Sequence, residues 1–474
     1  MSGPELRPAQ RFSEQEISAL NTRLAGDAVH PRHHDYHAQR RIWNYMIDRN
    51  PAVLLRCANA ADVVTGIAFA REHDVALTVK GGGHSVAGHS MIDDGVVLDL
   101  SPMRRASVDP EAGRVRVGGG CRLAEMDRAT QPFGLATPAG VMSQTGVAGL
   151  ALGGGMGWLS RKHGLTCDHL VSAQVVLADG RVVTASADEN PDLYWGLRGA
   201  GTNFGVVTEF EFTTQAVGTT VPVGIALYRL RDAANAIAHY GQTMRYASDD
   251  LKVMVYMRQA AAEPGVPDEL FGEPVCVFVS VWTGDSAQAP DVNDELWAGA
   301  PRVFGTVQAL PYLELQSMND SQLGPGACNY TKGGYAGEIS DGCIESLIES
   351  AKRLPNLLSA IEFGYQHGAQ DRVREDDTAF TDRHADHLIN VLGRWQPNDE
   401  SQPYIDWVRD TFAATAPWQT GGMYSNFMAL DDDERVKDAY RGGKYERLAM
   451  IKSKYDPENI FCSNPNIRPA NATE

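Results

Sequence analysis

Residues 80 to 90 read KGGGHSVAGHS: a lysine, three consecutive glycines, a histidine at 84 and a second at 89. Three familiar glycine-rich devices fail on spacing. A P-loop places Gly-Lys-Ser/Thr at the head of a helix, and here the lysine precedes the glycines. A Rossmann fingerprint needs GxGxxG in a strand-to-helix turn with an acid about 20 residues further on, and neither GGGHSVAG nor GGGMGW has that spacing. A hydrolase elbow needs GxSxG, and GHSVAG carries one residue too many after its serine, which leaves a serine hydrolase the weaker enzymatic alternative. What remains is a turn whose backbone N–H groups can wrap a pyrophosphate, with an imidazole projecting from it at a fixed distance.

The elements around this turn follow from periodicity. An apolar strand, Val53 to Arg56, leads into an Asn-Ala-Ala-Asp helix start, a helical run to Glu72 and a second strand, Ala76 to Lys80, which together predict a βαβ unit ending at the glycines. GVVLDL and ASVDPEAGRVRVGGG read as strands and hairpins, and RLAEMDRATQPFG as a helix. Residues 134–205 are dense in glycine, a texture that predicts backbone packed closely against a large flat ligand. AQVVLADGRVVTAS is a hairpin on an Asp-Gly turn, and GVVTEFEF closes the region as a strand. After about residue 217 glycines thin out and strands such as VCVFVSVWTG and HLINVLGRW alternate with helices such as CIESLIESAKRL, predicting a second, α+β domain. The C-terminal stretch is helical to Tyr455 and turns through Pro457. No internal repeat or low-complexity tract interrupts this order.

Bulk properties exclude several functions. The 474 residues exceed one ordinary core and predict two or three domains. Hydrophobic residues make up 43% and charged residues 22%, with no run of about 18 apolar residues to span a bilayer. A formal charge of −18 without clustered Lys and Arg argues against nucleic acid. A small neutral or cationic substrate is easier to accommodate. MSGPELRPAQRF has no apolar h-region, and the seven cysteines, Cys57, Cys121, Cys167, Cys276, Cys328, Cys343 and Cys462, contain no CxxC pair, which together predict a cytoplasmic protein without disulfides. His30, His33, His34 and His37 surround Asp35 near the N-terminus, but no established zinc spacing is present, so this is read as a solvated segment and no metal is expected.

A neutral imidazole held in a pyrophosphate-wrapping turn is nucleophilic enough to attack an electrophilic ring methyl position, and that chemistry points to flavin. VKGGGHSVAG, ATPAGVMSQTGVAGLALGGGMGWLSRKHGLTCDHL, YWGLRGAGTNFGVVTEFEF and YDPENIFCSNPNIRP, in this order from about Trp43 to Pro469, resemble the vanillyl-alcohol-oxidase/PCMH superfamily of FAD-linked oxidases, in its berberine-bridge-enzyme-like and 6-hydroxy-nicotine-oxidase-like group. The resemblance implies an α+β fold. It would comprise an N-terminal segment (1–39), a two-lobe PCMH-type FAD-binding domain (40–217), an α+β substrate domain with an antiparallel sheet (218–430), and a C-terminal segment (431–474) returning to complete the FAD site.

The resemblance also assigns residues. His84 would carry the bond to the 8α-methyl of FAD, Lys80, Gly81, Gly82, Gly83, His84 and Ser85 would wrap the pyrophosphate, and Gly146, Val147, Gly153, Gly154 and Gly157 would line the flavin and ribityl chain. Val207 resembles the residue whose backbone meets the adenine, and Asn464 and Asn466 match the asparagine motif that returns to the flavin. Plant members take a second flavin bond from a cysteine in PAGVC; here PAGVM puts Met142 there, and a thioether cannot form that bond. Cys167, in GLTCDHL beyond the loop, is read as a packed small residue, and His89 as a loop histidine. One covalent anchor is therefore expected.

The implied reaction is hydride abstraction from an alcohol or amine carbon of a small-molecule substrate, with O2 reoxidising the flavin to give hydrogen peroxide. Thr145, at the position resembling the family's oxygen-access residue, favours an oxidase over a dehydrogenase using another acceptor. A non-catalytic flavin carrier is the remaining alternative. Substrate identity and oligomeric state stay open. Relatives that oxidise alcohols carry YxNY, whose second tyrosine acts as base, whereas this chain has YSNF and Phe427 cannot take a proton. Period two puts Asn390, Leu392, Arg394 and Gln396 on one face of a strand, with Gln396 read as standing where some relatives place a catalytic glutamate. The candidate bases are Tyr424, with a pKa lowered by Arg394, and His367, with Tyr365 as a further pocket residue.

Overall fold

The computed structural model describes residues 11–470, in which separate apolar clusters are built on a four-stranded, a five-stranded and a seven-stranded sheet. The first sheet contains β1 (Asp27–Val29), β2 (Val53–Arg56), β3 (Leu77–Lys80) and β4 (Val96–Asp99) in the order β1-β2-β4-β3. β2, β4 and β3 are parallel, as the expected crossover requires. The crossover helix, Ala60–Glu72, starts where Asn59 accepts a hydrogen bond from the Asp62 N–H. Asp62 in turn accepts from the N–H groups of Ala25, Gly26 and Ala58, tying the N-terminal segment to the helix start.

The second sheet is antiparallel, with β5 (Ala106–Asp109), β6 (Arg114–Gly118), β8 (Leu170–Val176), β9 (Val182–Ser186) and β10 (Val206–Thr213) in the order β5-β6-β10-β8-β9. β7 (Leu135–Ala136) and β11 (Gln215–Ala216) pair as a short ribbon. The change of sheet falls between Thr213 and Thr220.

From there a seven-stranded antiparallel sheet is assembled from β12 (Thr220–Arg229), β13 (Leu251–Gln259), β14 (Pro274–Trp282), β15 (Phe304–Pro311), β16 (Cys328–Ala336), β17 (Ala360–Tyr365) and β18 (His387–Trp395), in the order β15-β12-β14-β13-β17-β18-β16. Its two faces differ. Val253, Val255, Met257, Ile361, Phe363, Ile389 and Val391 form one apolar core with the helices of this region. The alternate residues, Met254, Tyr256, Glu362, Asn390 and Arg394 among them, point the other way by the two-residue period.

The C-terminal helix, Lys444–Tyr455, returns to the first region, where Leu448, Ile451, Tyr455 and Ile467 join the core that holds Val147 and Phe210. Buried Lys452 fixes this return by donating to the carbonyls of Asn203 and Phe461 and pairing with Asp456 at 2.7 Å. Among the described residues no helix is long and apolar enough to cross a membrane.

Candidate functional site

β3 ends at Lys80, and the chain then turns through Gly81–Gly83 to present His84 beside Trp43, with ring centroids 4.3 Å apart and planes 19° apart. Nε2 of His84 is buried and has no hydrogen-bond partner among the described residues, while part of the ring faces a cavity. Burial, aided by Arg122 and Arg394, pushes its pKa down to about 4, so the imidazole is neutral at physiological pH with a lone pair available. The cavity has a volume of about 310 Å³ and is lined by Arg41, Arg104 and Arg122 as well as Lys80 and the glycine turn. In a chain of charge −18, that local concentration of cations beside backbone N–H groups suits a phosphate-bearing ligand.

Lys80 itself is engaged. Its Nζ donates to the Gln39 carbonyl at 2.8 Å and to fully buried Asp99 at 3.1 Å, so it fixes the end of β3 as well as lining the cavity. Ser85 Oγ accepts from the His89 N–H, closing the turn. His89 is held by burial as a neutral ring with its pKa down at about 4, and its carbonyl accepts from Ser463 of the tail. The tail therefore reaches the same turn. Asn464 and Asn466 each keep a buried side-chain oxygen without a partner among the described residues, although Asn464 donates to the carbonyls of Thr202 and Phe461. Such orphaned acceptors, together with His84 Nε2, are what a site shaped around a missing polar group leaves behind.

The glycine-dense region needs a correction. A Cβ on Gly82 would lie 2.4 Å from Gly146 Cα, so these two loops touch backbone to backbone. A Cβ on Gly153 would strike Asn426, one on Gly154 Phe380, and one on Gly157 the Ala139 carbonyl at 1.8 Å. At these positions the neighbour that forbids a side chain is the chain itself, not only a flat ligand. Val147 opens the short helix Val147–Leu152, and Thr145 forms the turn before it, donating its N–H to the Met142 carbonyl. Val207 is buried in β10, with its carbonyl against Gly119.

Met142 is buried and offers no thiol. Cys167 is buried among Tyr335, Phe380, Leu388 and Tyr424, and burial pushes its thiol well up, away from the thiolate needed to form a bond.

The proposed bases are corrected by the geometry. Tyr424 Oη accepts from the Gly155 N–H at 3.1 Å and from Asn426 Nδ2 at 2.9 Å, and burial drives its pKa up to about 12 rather than down. Arg394 is not its partner. That guanidinium donates to Asn329 Oδ1 and the Gly324 carbonyl and lies over the Trp43 ring, 5.7 Å from its centroid, so it braces the tryptophan that stacks on His84. His367 is bonded to Asp371 and Asp386 through its two ring nitrogens, and these carboxylates raise its pKa to about 9. Both ring nitrogens are thus engaged, and the raised pKa favours the charged imidazolium at neutral pH.

His367 also stands at the wrong end of the sheet. β17 ends at Tyr365, opposite His387, seven residues and roughly 24 Å of strand from Arg394. Tyr365 lies at that end too, under Arg161. Gln396 follows the last residue of β18, is exposed, and bonds through its N–H to Asp399, so it lies outside the site. His33, His34 and Asp35 bring their ligand atoms within 4.8 Å of one another on a partly exposed segment.

One group escaped the sequence reading. Glu362 lies part-buried on β17, on the sheet face shared with Asn390, and accepts a hydrogen bond from Asn390 Nδ2. The available signal was a lone carboxylate in the otherwise uncharged strand AIEFGY.

A cation-lined cavity at a glycine turn, with a neutral, part-buried histidine beside it, suits a phosphate-bearing cofactor. Comparison with known proteins identifies the cofactor. Residues 51–186 match the FAD binding domain family, and residues 423–468 match the family described as berberine and berberine like. The chain is 42% identical to the FAD-linked oxidoreductase pgmH of Aspergillus terreus over 97% of both chains. It is 28% identical to the (R)-6-hydroxynicotine oxidase of Paenarthrobacter nicotinovorans, over 94% of this chain and 97% of the relative. Among solved structures, 6-hydroxy-D-nicotine oxidase from Arthrobacter nicotinovorans superposes with a TM-score of 0.83 at 26% identity, covering 94% of this chain and 98% of the other. Physcomitrella patens BBE-like 1 gives 0.85 at 23% identity, covering 96% and 100%, a likeness of fold. The protein belongs to the FAD-linked oxidoreductases, with a berberine-like C-terminal segment.

Proposed function

We propose that this enzyme is an oxidase that takes hydride from an alcohol or amine carbon of a small molecule, on FAD attached by a single covalent bond at His84, with O2 as the acceptor and hydrogen peroxide as the second product. The observation that carries this reading is His84 itself: a neutral, part-buried imidazole whose buried Nε2 has no partner among the described residues, stacked on Trp43 at a cation-lined cavity. Bound FAD would supply a two-electron acceptor that oxygen can regenerate. The chain's own residues do the remaining work. The turn 80–85 and Arg41, Arg104 and Arg122 would hold the phosphates, Asn464 and Asn466 would offer their free oxygens, and Arg394 keeps Trp43 in place. Met142 and the protonated thiol of Cys167 leave no second anchor. The name of the 6-hydroxynicotine oxidase relative and the small side chain of Thr145 favour oxygen as acceptor. The unpaired cysteines suit a cytoplasmic setting.

Acid-denatured protein should keep its yellow colour and give one flavopeptide spanning residue 84, and His84→Ala should release its flavin on the same treatment. Photoreduced enzyme should be reoxidised rapidly by air. Reoxidation over many minutes, with fast turnover only on a quinone or dye, would make it a dehydrogenase instead.

A further inference from the structure

Tyr424 and His367 are each held by two hydrogen-bond partners and Gln396 is exposed beyond β18, whereas the inner face of the large sheet carries a carboxylate with an oxygen to spare. Glu362 on β17 and Asn390 on β18 are cross-strand partners. Asn390 Nδ2 donates to Glu362 Oε1, while Glu362 Oε2 has no partner among the described residues. Glu362 is part-exposed, whereas Asn390 is 6% exposed and keeps its Oδ1 buried and unpartnered among the described residues. Two acceptor oxygens thus stand side by side with no donor to them among the described residues.

Both lie towards the FAD-binding region. A Cβ on Gly333, the partner of Asn390 on β16, would meet Asn390 Oδ1 at 3.4 Å and Phe427 at 3.2 Å. Phe427 touches Tyr424, and the adjoining Asn426 rests on Gly153 and donates to the Leu150 carbonyl at the end of the helix that starts at Val147. On the other side, Tyr256 is the β13 partner of Glu362 and bonds to Asn319, which donates to the Val141 carbonyl of the PAGVM loop. The pair therefore sits between the two segments that flank the glycine loops. Four residues along β18, roughly 14 Å, separate Asn390 from Arg394 at the His84 end.

We propose that Glu362, oriented by Asn390, is the proton acceptor of the oxidation, a step that rests on the oxidase reading above. The reacting carbon's hydrogen leaves with its electron pair for oxidised FAD, and the O–H or N–H proton of the heteroatom on that carbon passes to Glu362 Oε2. The products are a carbonyl or an imine, two-electron-reduced flavin and a neutral carboxyl group. O2 then takes the two electrons, and with the proton returned by Glu362 and the hydrogen carried on the flavin gives hydrogen peroxide. Asn390 Oδ1 accepts a second donor of the substrate, so the site selects molecules that present two N–H or O–H groups at or beside the reacting carbon.

A part-buried carboxylate with one unused oxygen loses some of its hydration without a compensating cation, which is unfavourable for a group with only a structural role. Burial raises the pKa of Glu362 from the ordinary range, and the Asn390 bond opposes that rise. The charged and titratable neighbours do not neutralise it. Tyr256 is itself held protonated by burial, Arg258 on β13 is paired with Glu263, Lys252 donates to the Tyr365 carbonyl, Arg394 is engaged by Asn329, and buried His387 is kept neutral.

Two measurements on the flavin-loaded protein test this. Infrared difference spectra between pH 4 and pH 9 should contain the carbonyl band of a protonated carboxyl that titrates above the ordinary glutamate value of about 4.3 and is missing in Glu362→Gln. In anaerobic stopped flow, with the compound that bleaches the flavin in a screen of primary amines and alcohols, the wild-type reduction rate should rise with pH along that titration. Glu362→Gln should fall by about 10²- to 10⁴-fold in flavin reduction and lose the pH limb. Asn390→Ala should move the limb to higher pH by removing a hydrogen bond to the carboxylate. Absence of the infrared band, or reduction of Glu362→Gln at the wild-type rate, would overturn the assignment and leave the oxidase reading standing. Slow reoxidation in the wild-type protein would instead remove the oxidase reading.

Discussion

His367→Gln separates a structural charge cluster from the catalytic machinery. In the native protein His367 bridges Asp371 and Asp386, and the two carboxylates hold its pKa at about 9 against about 6.5 in an unfolded chain. A shift of that size corresponds to roughly 3 kcal/mol at 1.36 kcal/mol per pH unit. The imidazole is 27% exposed and Asp386 39%, so solvent screening reduces this to about 2 kcal/mol. The folded pKa is the higher one, so the stabilisation is fully present below about pH 6.5 and is lost as pH rises through 9. For 474 residues the unfolding entropy is roughly 1 kcal/mol per degree, which makes the effect about 2 °C in melting temperature. Scans of wild type and His367→Gln at one rate and one flavin loading should therefore show a gap of about 2 °C at pH 6 that closes by pH 10. Flavin reduction in the variant should stay near the wild-type rate, because an imidazolium 24 Å of strand from the Arg394 end is no base, a length set by the strand rise. A gap that persists unchanged at pH 10, or a fall in reduction of 10²-fold or more, would refute the reasoning.

Two further substitutions probe neighbouring claims. Tyr424→Phe removes the acceptor for the buried Gly155 N–H and for Asn426, and should lower stability by about 1–3 kcal/mol in urea unfolding while changing flavin reduction less than about tenfold. A larger fall that also abolishes the pH limb would restore Tyr424 as the base. Lys332→Met leaves Asp432, which is 1% exposed, with Arg435 at 3.8 Å and the Ala429 N–H as its remaining partners, and should cost about 1–3 kcal/mol near neutral pH, read as a lower urea midpoint at unchanged slope.

Local and repetitive features were legible without coordinates. The βαβ unit from Val53 to Lys80, the Asp-Gly hairpin of β8 and β9 and the C-terminal helix ending at Tyr455 each follow from periodicity and turn chemistry, because neighbouring residues dictate them. The alternation on HLINVLGRW likewise put Asn390 and Arg394 on one face. His84 stood out because its glycine turn is continuous in the chain. Electrostatic roles were not legible, since they depend on groups far apart in sequence. Tyr424 meets the Gly155 N–H from 269 residues away, and Arg394 meets Asn329 from 65. The glycines were visible, but only packing revealed that Gly82 and Gly146 touch each other and that Gly157 abuts Ala139. Glu362 reads in the sequence as one acid among 60 acidic residues. The pairing of β17 with β18 and β13 is what sets that carboxylate beside Asn390, where partial loss of water raises its proton affinity.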